Sequence, residues 1–429
     1  MTSRPLTPKK YYRLPWNLAD NAITWLEPTT KCNIYCEGCY RVNDPEGDKP
    51  LETVIKDLEA IKSLRNTDGI SIAGGEPLIY PHIIELVKYV AEQGWKPIII
   101  TNGQNLTPEL LKELHQAGVK GFTVHVDSHQ NRPNMVGLSE TDLNEFRLEK
   151  ARMIKEVGRG KIFCAFNATI YRDTLKDVPM LTKWAQDHMK LVQTMVFILY
   201  RSAKQKSEFA GFVRGKEIDP TELVYQLDSM EDHEDVVVQE VADQIRTVCP
   251  EYEPNAYLNG TMDPSTMKWL LAVRTGNKRE IIQYHDPALV EMAQVAYHLI
   301  KGKYLAYSSP FFMRFAKFML PLALVNKGVL KLLGKCMIKP WRLFMPMHSQ
   351  AMMIIQPPDI LEDGRQNMCD GCPDGFFYQG RFIWKCRLDE LEKFGDFVIT
   401  VPKEKVEADQ AQEADQTEAP LPYHKKHAA

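Results

Sequence analysis

No run of apolar residues in the 429-residue chain approaches the roughly 18–20 needed to span a bilayer. The opening stretch, MTSRPLTPKKYYRLPW, lacks the apolar segment of an export signal. Both absences predict a cytoplasmic protein. Basic charge is not in excess either. Lys and Arg number 53 against 56 Asp and Glu, a formal net charge of −3, which removes the cationic field expected of a nucleic-acid binder. No internal repeat is present. A 44% hydrophobic, 25% charged composition is that of an ordinary globular chain. One further scarcity is local: between Glu291 and Asp359 there is no acidic residue at all.

What is there is a regular alternation of strand-like and helix-like segments over the first half. Strands are predicted at Ile23–Pro28, Gly69–Ala73, Lys96–Thr101, Gly121–Asp127, Ile162–Tyr171 and Val192–Tyr200. Helical patterns lie between them, near 52–64, 82–93, 108–117, 140–157 and 176–189. Near-continuous apolar strands of this kind belong to a parallel sheet covered by helices, an α/β fold. Such folds gather their sites at the C-terminal ends of the strands.

Nine cysteines without an export signal are poor material for disulfides. Six fall in two tight groups, which reads as metal ligation. Cys164, Cys249 and Cys336 are scattered and read as small buried hydrophobes. The first group is Cys32, Cys36 and Cys39, in TKCNIYCEGCY after the first strand. Three thiolates fall one short of a structural zinc site. They suit a [4Fe–4S] cube with one open iron, a zinc knuckle with a distant fourth ligand being the alternative. One β/α unit later, the second strand ends in Gly74-Gly75-Glu76-Pro77.

The Cys-x3-Cys-x2-Cys spacing, followed by Gly-Gly-Glu-Pro one unit on, resembles the radical S-adenosylmethionine superfamily. The resemblance implies a partial (β/α)6 parallel barrel with helical and small cysteine-rich C-terminal extensions. It further implies that Cys32, Cys36 and Cys39 hold a [4Fe–4S] cluster whose open iron chelates S-adenosylmethionine. One electron, from a donor such as flavodoxin or ferredoxin, would then release a 5′-deoxyadenosyl radical. Gly74 and Gly75 would let backbone approach the ligand, the strand edge or Glu76 would receive the ammonium, and Pro77 belongs to the same cofactor-binding motif. At the later strand ends, Asn102, Asp127 and Asn167 are candidates for the ribose hydroxyls and methionine carboxylate, while His125 and His129 read as structural. Many members carry an aromatic residue before the last cysteine. Here that position is Gly38, which leaves the adenine contact to Tyr40 or to backbone.

The second group, Cys369, Cys372 and Cys386, looks like a shortened auxiliary-cluster extension. An iron–sulfur cluster, zinc and free thiols are its alternatives, with Cys249 or Cys336 as a candidate fourth ligand. The acid-free stretch carries nine Lys and Arg beside Phe311, Phe315, Phe318 and Leu322, then beside Val325, Val329, Leu332 and Cys336. This is the pattern of amphipathic helices with a cationic face, suited either to a membrane surface or to packing on the barrel. The expected organisation is an arm (1–21), the core barrel (22–205), a charged helical region (206–291), a basic amphipathic helical segment (292–358), a cysteine-containing extension (359–400) and a disordered tail (401–429). The function expected is radical chemistry on an apolar substrate, a lipid or isoprenoid, drawn from solution or from the inner face of a membrane. Modification of a peptide or maturation of a cofactor is the second reading, and a non-catalytic iron–sulfur or zinc scaffold the third.

Overall fold

The computed structural model describes residues 4–200, 208–219, 222–223 and 235–408. Six parallel strands form its centre: β1 (Asp20–Thr29), β2 (Asn66–Gly74), β3 (Lys96–Thr101), β4 (Gly121–His125), β5 (Phe163–Ile170) and β6 (Thr194–Leu199). They lie side by side in chain order, every neighbouring pair parallel. Five helices connect them and pack outside: α1 (Leu51–Leu64), α2 (Ile83–Glu92), α3 (Pro108–Ala117), α4 (Leu143–Val157) and α5 (Val178–Asp187). The expected barrel of β/α units is the observed one. Helix α3 shows why the ends fall where they do. Thr107 caps its first turn by accepting from Leu110 N, Pro108 fits the first helical position, and Gly118 ends it at φ 105°.

The sheet extends beyond six strands. The antiparallel strand β7 (Met267–Gly276) pairs with β8 (His348–Ile355), and β8 in turn runs parallel to β6. On the opposite edge, β9 (Gly375–Tyr378) meets β1 through Phe376 and Trp25 and forms a hairpin with β10 (Arg381–Trp384). These strands correct the helical expectation for 206–291 and, in part, for 292–358. Besides β7, the first of these stretches holds strands at Phe209–Val213, Lys216–Ile218, Ala256–Asn259 and Ile281–Tyr284, with α6 (Val238–Val248). Their charged residues hide a two-residue period. Trp269, Leu271 and Val273 point one way along β7, while Lys268 and Arg274 are fully buried on the other side, paired to Asp359 and Gln350. Of the expected tail, Ile399–Pro402 pairs with Phe209–Val213 and 403–408 is helical, while 409–429 lies outside the described residues.

Two helices follow β7: α7 (Pro287–Lys301) and α8 (Lys327–Ile338). Between them come a short helix, Pro310–Arg314, and a 3-10 stretch, Ala316–Leu324. This run crosses the N-terminal ends of the barrel strands. Lys96, at the start of β3, donates to Ala306 O at 2.8 Å, and Arg314 donates to Gly160 O at 2.8 Å just before β5. Among the described residues no helix is long and apolar enough to cross a membrane.

Candidate active site

The barrel is hollow because its inward positions are small. Side chains alternate along a strand, so Cys164, Phe166 and Ala168 of β5 join the outer core while Ala165, Asn167 and Thr169 face inward. Ser71 and Ala73 of β2 and Thr123 of β4 do likewise. Barrels of this type usually fill the same positions with bulky branched residues. Here they border a cavity of about 1440 Å³. It runs from the cysteine loop at the strands' C-terminal ends to the α7–α8 segment at the other end.

Cys32, Cys36 and Cys39 all line the upper part of this cavity. Their loop is fastened on three sides. From β2, Gly75 N donates to Thr29 O at 2.9 Å and Glu76 N to Lys31 O at 2.8 Å. A Cβ on Gly74 would sit 2.2 Å from Thr29 O, and one on Gly75 only 2.1 Å from Lys31 O. The glycine pair therefore serves the close approach of the strand leading into Cys32. From β3, Asn102 Nδ2 donates to Asn33 Oδ1 at 2.7 Å and lies 4.0 Å from Cys32 Sγ. From the loop after β4, Glu37 N donates to His129 O at 2.9 Å, and the His129 ring pairs with the Glu37 carboxylate at 2.5 Å.

Glu76 takes a different place from the one expected. It is fully buried, accepts from Leu78 N (2.9 Å), Thr101 Oγ1 (2.6 Å) and Asn102 N (2.7 Å), and is not part of the cavity wall. Of the two acceptors expected for an ammonium, the strand edge at Gly74 and Gly75 is the one that borders the cavity. Pro77 is buried behind it in a 3-10 turn. Asp127 does border the cavity, ionised against its burial: His125 at 3.0 Å and the Thr169 amide at 3.1 Å hold its carboxyl below the usual range. Asn167 borders it too, and its Oδ1 is buried without a hydrogen-bond partner among the described residues. A buried acceptor left bare in a wall is costly unless a bound group satisfies it.

Tyr40 is drawn into a buried charge cluster that the sequence does not announce. Glu27, 1% exposed, receives Trp25 Nε1 at 2.9 Å and Lys385 Nζ at 3.2 Å, with Arg41 Nε also 3.2 Å away but not aligned for a hydrogen bond. The Tyr40 hydroxyl lies 3.4 Å from Glu27, and Lys385 sits 4.8 Å from the centre of its ring. Opposite, Tyr200 and Tyr171 stack with centroids 5.1 Å apart, and His129 stacks on Tyr171 at 3.9 Å. A Cβ on Gly38 would meet the Tyr200 ring at 3.1 Å, at φ +67°. The aromatic surface missing at position 38 is thus supplied beside it by the residues that end β5 and β6.

The three thiols fit a cube better than a single ion. Burial and mutual repulsion push the Cys36 thiol well up, so three thiolates here need strong cationic compensation. Zinc requires every sulfur about 2.3 Å from one point. Among the described residues, no three His, Cys, Asp or Glu side chains gather to hold one ion. A cube would instead give each thiolate its own iron, and Gly74, Gly75 and Asn167 line the same cavity as the three cysteines.

Cys369, Cys372 and Cys386 line the same cavity from the β9–β10 side, with Asp374 among them. Gly371 turns at φ +69° against Trp16 O, and the free thiols of Cys372 and Cys369 are hydrogen-bonded to each other. The suggested fourth ligands are elsewhere: Cys249 lies in the main core, 3.7 Å from Arg274, and Cys336 under α8 with Ile282 and Met347. Both are small buried hydrophobes, as is Cys164.

A parallel barrel with three cysteines on the loop after its first strand and a glycine pair ending its second defines a class that comparison identifies. Residues 26–185 match the family model described as the radical SAM superfamily, so it is the barrel domain of this chain that is similar to that superfamily. The superfamily works with a [4Fe–4S] cluster and S-adenosylmethionine. The chain is 30% identical over 167 residues to the tungsten-containing aldehyde ferredoxin oxidoreductase cofactor-modifying protein of Pyrococcus furiosus, covering 37% of this chain and 47% of that one. It is 31% identical over 133 residues to the AdoMet-dependent heme synthase of Methanosarcina barkeri, covering 29% and 38%. The chain thus spans less than half the length of these curated relatives. Among solved structures, Streptococcus suis SuiB bound to S-adenosylmethionine aligns with a TM-score of 0.35 at 18% identity, over 43% of this chain and 42% of that one.

Proposed function

We propose that the protein is a radical SAM enzyme whose substrate is an apolar molecule, a lipid or isoprenoid, held in the through-barrel cavity. The observation that carries this reading is the hollow itself: small inward side chains leave about 1440 Å³ continuous with the cysteine loop. When bound, the cluster and S-adenosylmethionine supply a 5′-deoxyadenosyl radical at the upper end of that hollow. The chain's own residues position and shield it. Cys32, Cys36 and Cys39 would hold the cluster, and the edge at Gly74 and Gly75 would accept the methionine ammonium. Asn167 and Asp127 would take the ribose and carboxylate groups, and Tyr200 with Tyr171 would offer the adenine a flat face. Ile198, Val196 and Leu271 keep the wall below apolar, which excludes water from a radical. A small ferredoxin or flavodoxin would deliver the electron, and a bilayer is the natural reservoir of such a substrate.

Cys369, Cys372 and Cys386 would bind an auxiliary cluster with its remaining position open to the cavity. The names of the relatives favour a second reading, maturation of a cofactor precursor. Anaerobic reconstitution tests both layers. Wild-type protein is expected to form 5′-deoxyadenosine and the Cys32→Ala variant none. Iron in a Cys369→Ala/Cys372→Ala variant is expected to fall by the content of one cluster. Iron equal to wild type would remove the auxiliary cluster. Stimulation of cleavage by a cofactor precursor and not by lipids would replace the first reading with the second.

A further inference from the structure

We infer that the face built by the 311–325 stretch and the adjoining α8 seats on an anionic lipid bilayer, with the lower mouth of the cavity opening into it; this rests on the apolar-substrate reading above. The acid-free segment divides in the structure into two stripes with different fates. Val329, Leu332 and Cys336 are fully buried, the last two packed with Ile282 and Met347, and hold α8 to the body. Phe311, Phe312, Phe315 and Phe318 are instead 51–63% exposed, and they stack on one another outside: Phe311 lies 5.0 Å from Phe315 and 5.5 Å from Phe318. Leu324 and Val325 continue the surface at 92% and 73% exposure. The turn Trp341–Phe344, tied back through Lys317 to Leu343 O, adds Trp341 and Phe344.

Apolar surface of this extent in a soluble chain marks an interaction site, and its charge selects the partner. Lys327, Lys331 and Lys339 are exposed beside it, and the segment from 292 to 358 itself carries no acidic residue. Carboxylates do reach this face from outside: Glu280 is paired with Arg342, and Asp286 lies beside Gly328. Aromatics flanked by an excess of cations match a bilayer with anionic headgroups, where the rings enter the interface and the lysines meet the phosphates. Position relative to the cavity supplies the third argument. Phe312, Phe315, Phe318 and Leu322 belong both to the exposed surface and to the cavity wall. They lie at the N-terminal ends of the strands, opposite the cysteine loop, and Met313 packs there on Phe163 and Ala165. An acyl or isoprenoid chain leaving the bilayer would meet an apolar path up the barrel with the radical source at its far end.

The test is flotation of the full chain with vesicles of equal phosphatidylglycerol and phosphatidylcholine, against phosphatidylcholine alone. Binding to the anionic vesicles is expected, weakened by salt, and reduced at least tenfold in Phe311→Ser/Leu324→Ser and, independently, in Lys327→Glu/Lys331→Glu. None of these four residues lines the cavity, so 5′-deoxyadenosine formation without vesicles should match wild type, which also shows that the variants fold. Folded protein that fails to float, or floats equally well with the variants, would overturn the inference. So would a dimer in lipid-free solution broken by the same substitutions, which would give the face to a second copy. Turnover of a detergent-dispersed apolar substrate without flotation leaves the substrate reading standing and removes the docking. Flotation with no lipid turnover does the reverse.

Discussion

Gly75 has no room for a side chain, and the reason is the cysteine loop rather than a ligand. A methyl group there meets Lys31 O at 2.1 Å, so Gly75→Ala must push the strand entering Cys32 away from β2. A displacement of that size at a reacting centre costs about a hundredfold in rate. The variant should fold, reconstitute with reduced iron and form 5′-deoxyadenosine about a hundredfold more slowly, followed by chromatography of the nucleoside. Asn167 behaves oppositely, because its Oδ1 lacks a partner among the described residues. Asn167→Leu should leave thermal stability unchanged or raised while weakening S-adenosylmethionine binding about tenfold, the worth of one buried hydrogen bond; equilibrium dialysis reads this directly. The cysteine loop and the glycine pair that meets it are legible in the sequence because their spacing is local. The Glu27–Lys385–Arg41 cluster is not, since its members are joined only when the C-terminal hairpin lands beside β1. Tyr40 and Glu76 illustrate the same limit. Each is the expected residue type at the expected position, yet the hydrogen bonds that occupy it come from elsewhere in the chain.

At the scale of elements, the first six strands and their helices are readable because helical and near-continuous apolar segments alternate cleanly. Beyond residue 205 the pattern misleads. Strand β7 buries Lys268 and Arg274 on the side away from the cavity, against Asp359 and Gln350, which on paper resembles a charged helix. The hairpin β9–β10 is attached to the barrel by apolar packing of Phe376, Phe377 and Phe382 and, beside it, by buried charge. Removing Glu27 strands Lys385, 6% exposed, without its paired carboxylate and leaves Arg41 only its pair with Glu392 at 2.7 Å. Glu27→Ala should therefore lose about 3–5 kcal/mol of stability, seen as a lowered denaturation midpoint, with limited proteolysis cutting first near the hairpin. His285, which precedes α7, gives the element a pH signature. Its ring is buried and bonded to Thr275 at 2.7 Å, and burial lowers its pKa from 6.5 to about 4, with Asp286 and Lys335 the nearby charges. Between pH 6.5 and 4 the unfolded chain binds the extra proton, so stability conferred by the neutral ring is complete above 6.5 and is lost as pH falls through that window. The loss reaches up to about 3 kcal/mol. In His285→Leu the fall in melting temperature from pH 6.5 to 4.5 should be visibly shallower than in wild type.

For the molecule as a whole, the barrel is a passage and not only a platform. The cluster loop closes one end and the aromatic, cationic segment borders the other, while the small inward residues keep the space between them open. Filling that space should separate radical generation from its use. Ala165→Phe puts an aromatic ring in the lower part of the cavity, near Met313, and is expected to keep 5′-deoxyadenosine formation within about threefold while lowering product by at least a factor of ten. If both fell together, the residue would belong to the cofactor site instead. The central claim, an apolar substrate in that passage, is tested most directly by following hydrogen. Reconstituted enzyme would be incubated anaerobically with S-adenosylmethionine and a perdeuterated lipid extract, and the nucleoside and lipid fractions read by mass spectrometry. The account predicts deuterium in 5′-deoxyadenosine, or an adenosylated lipid if the radical adds to a double bond. Nucleoside free of deuterium, with no adenosylated lipid and cleavage indifferent to the extract, would contradict it.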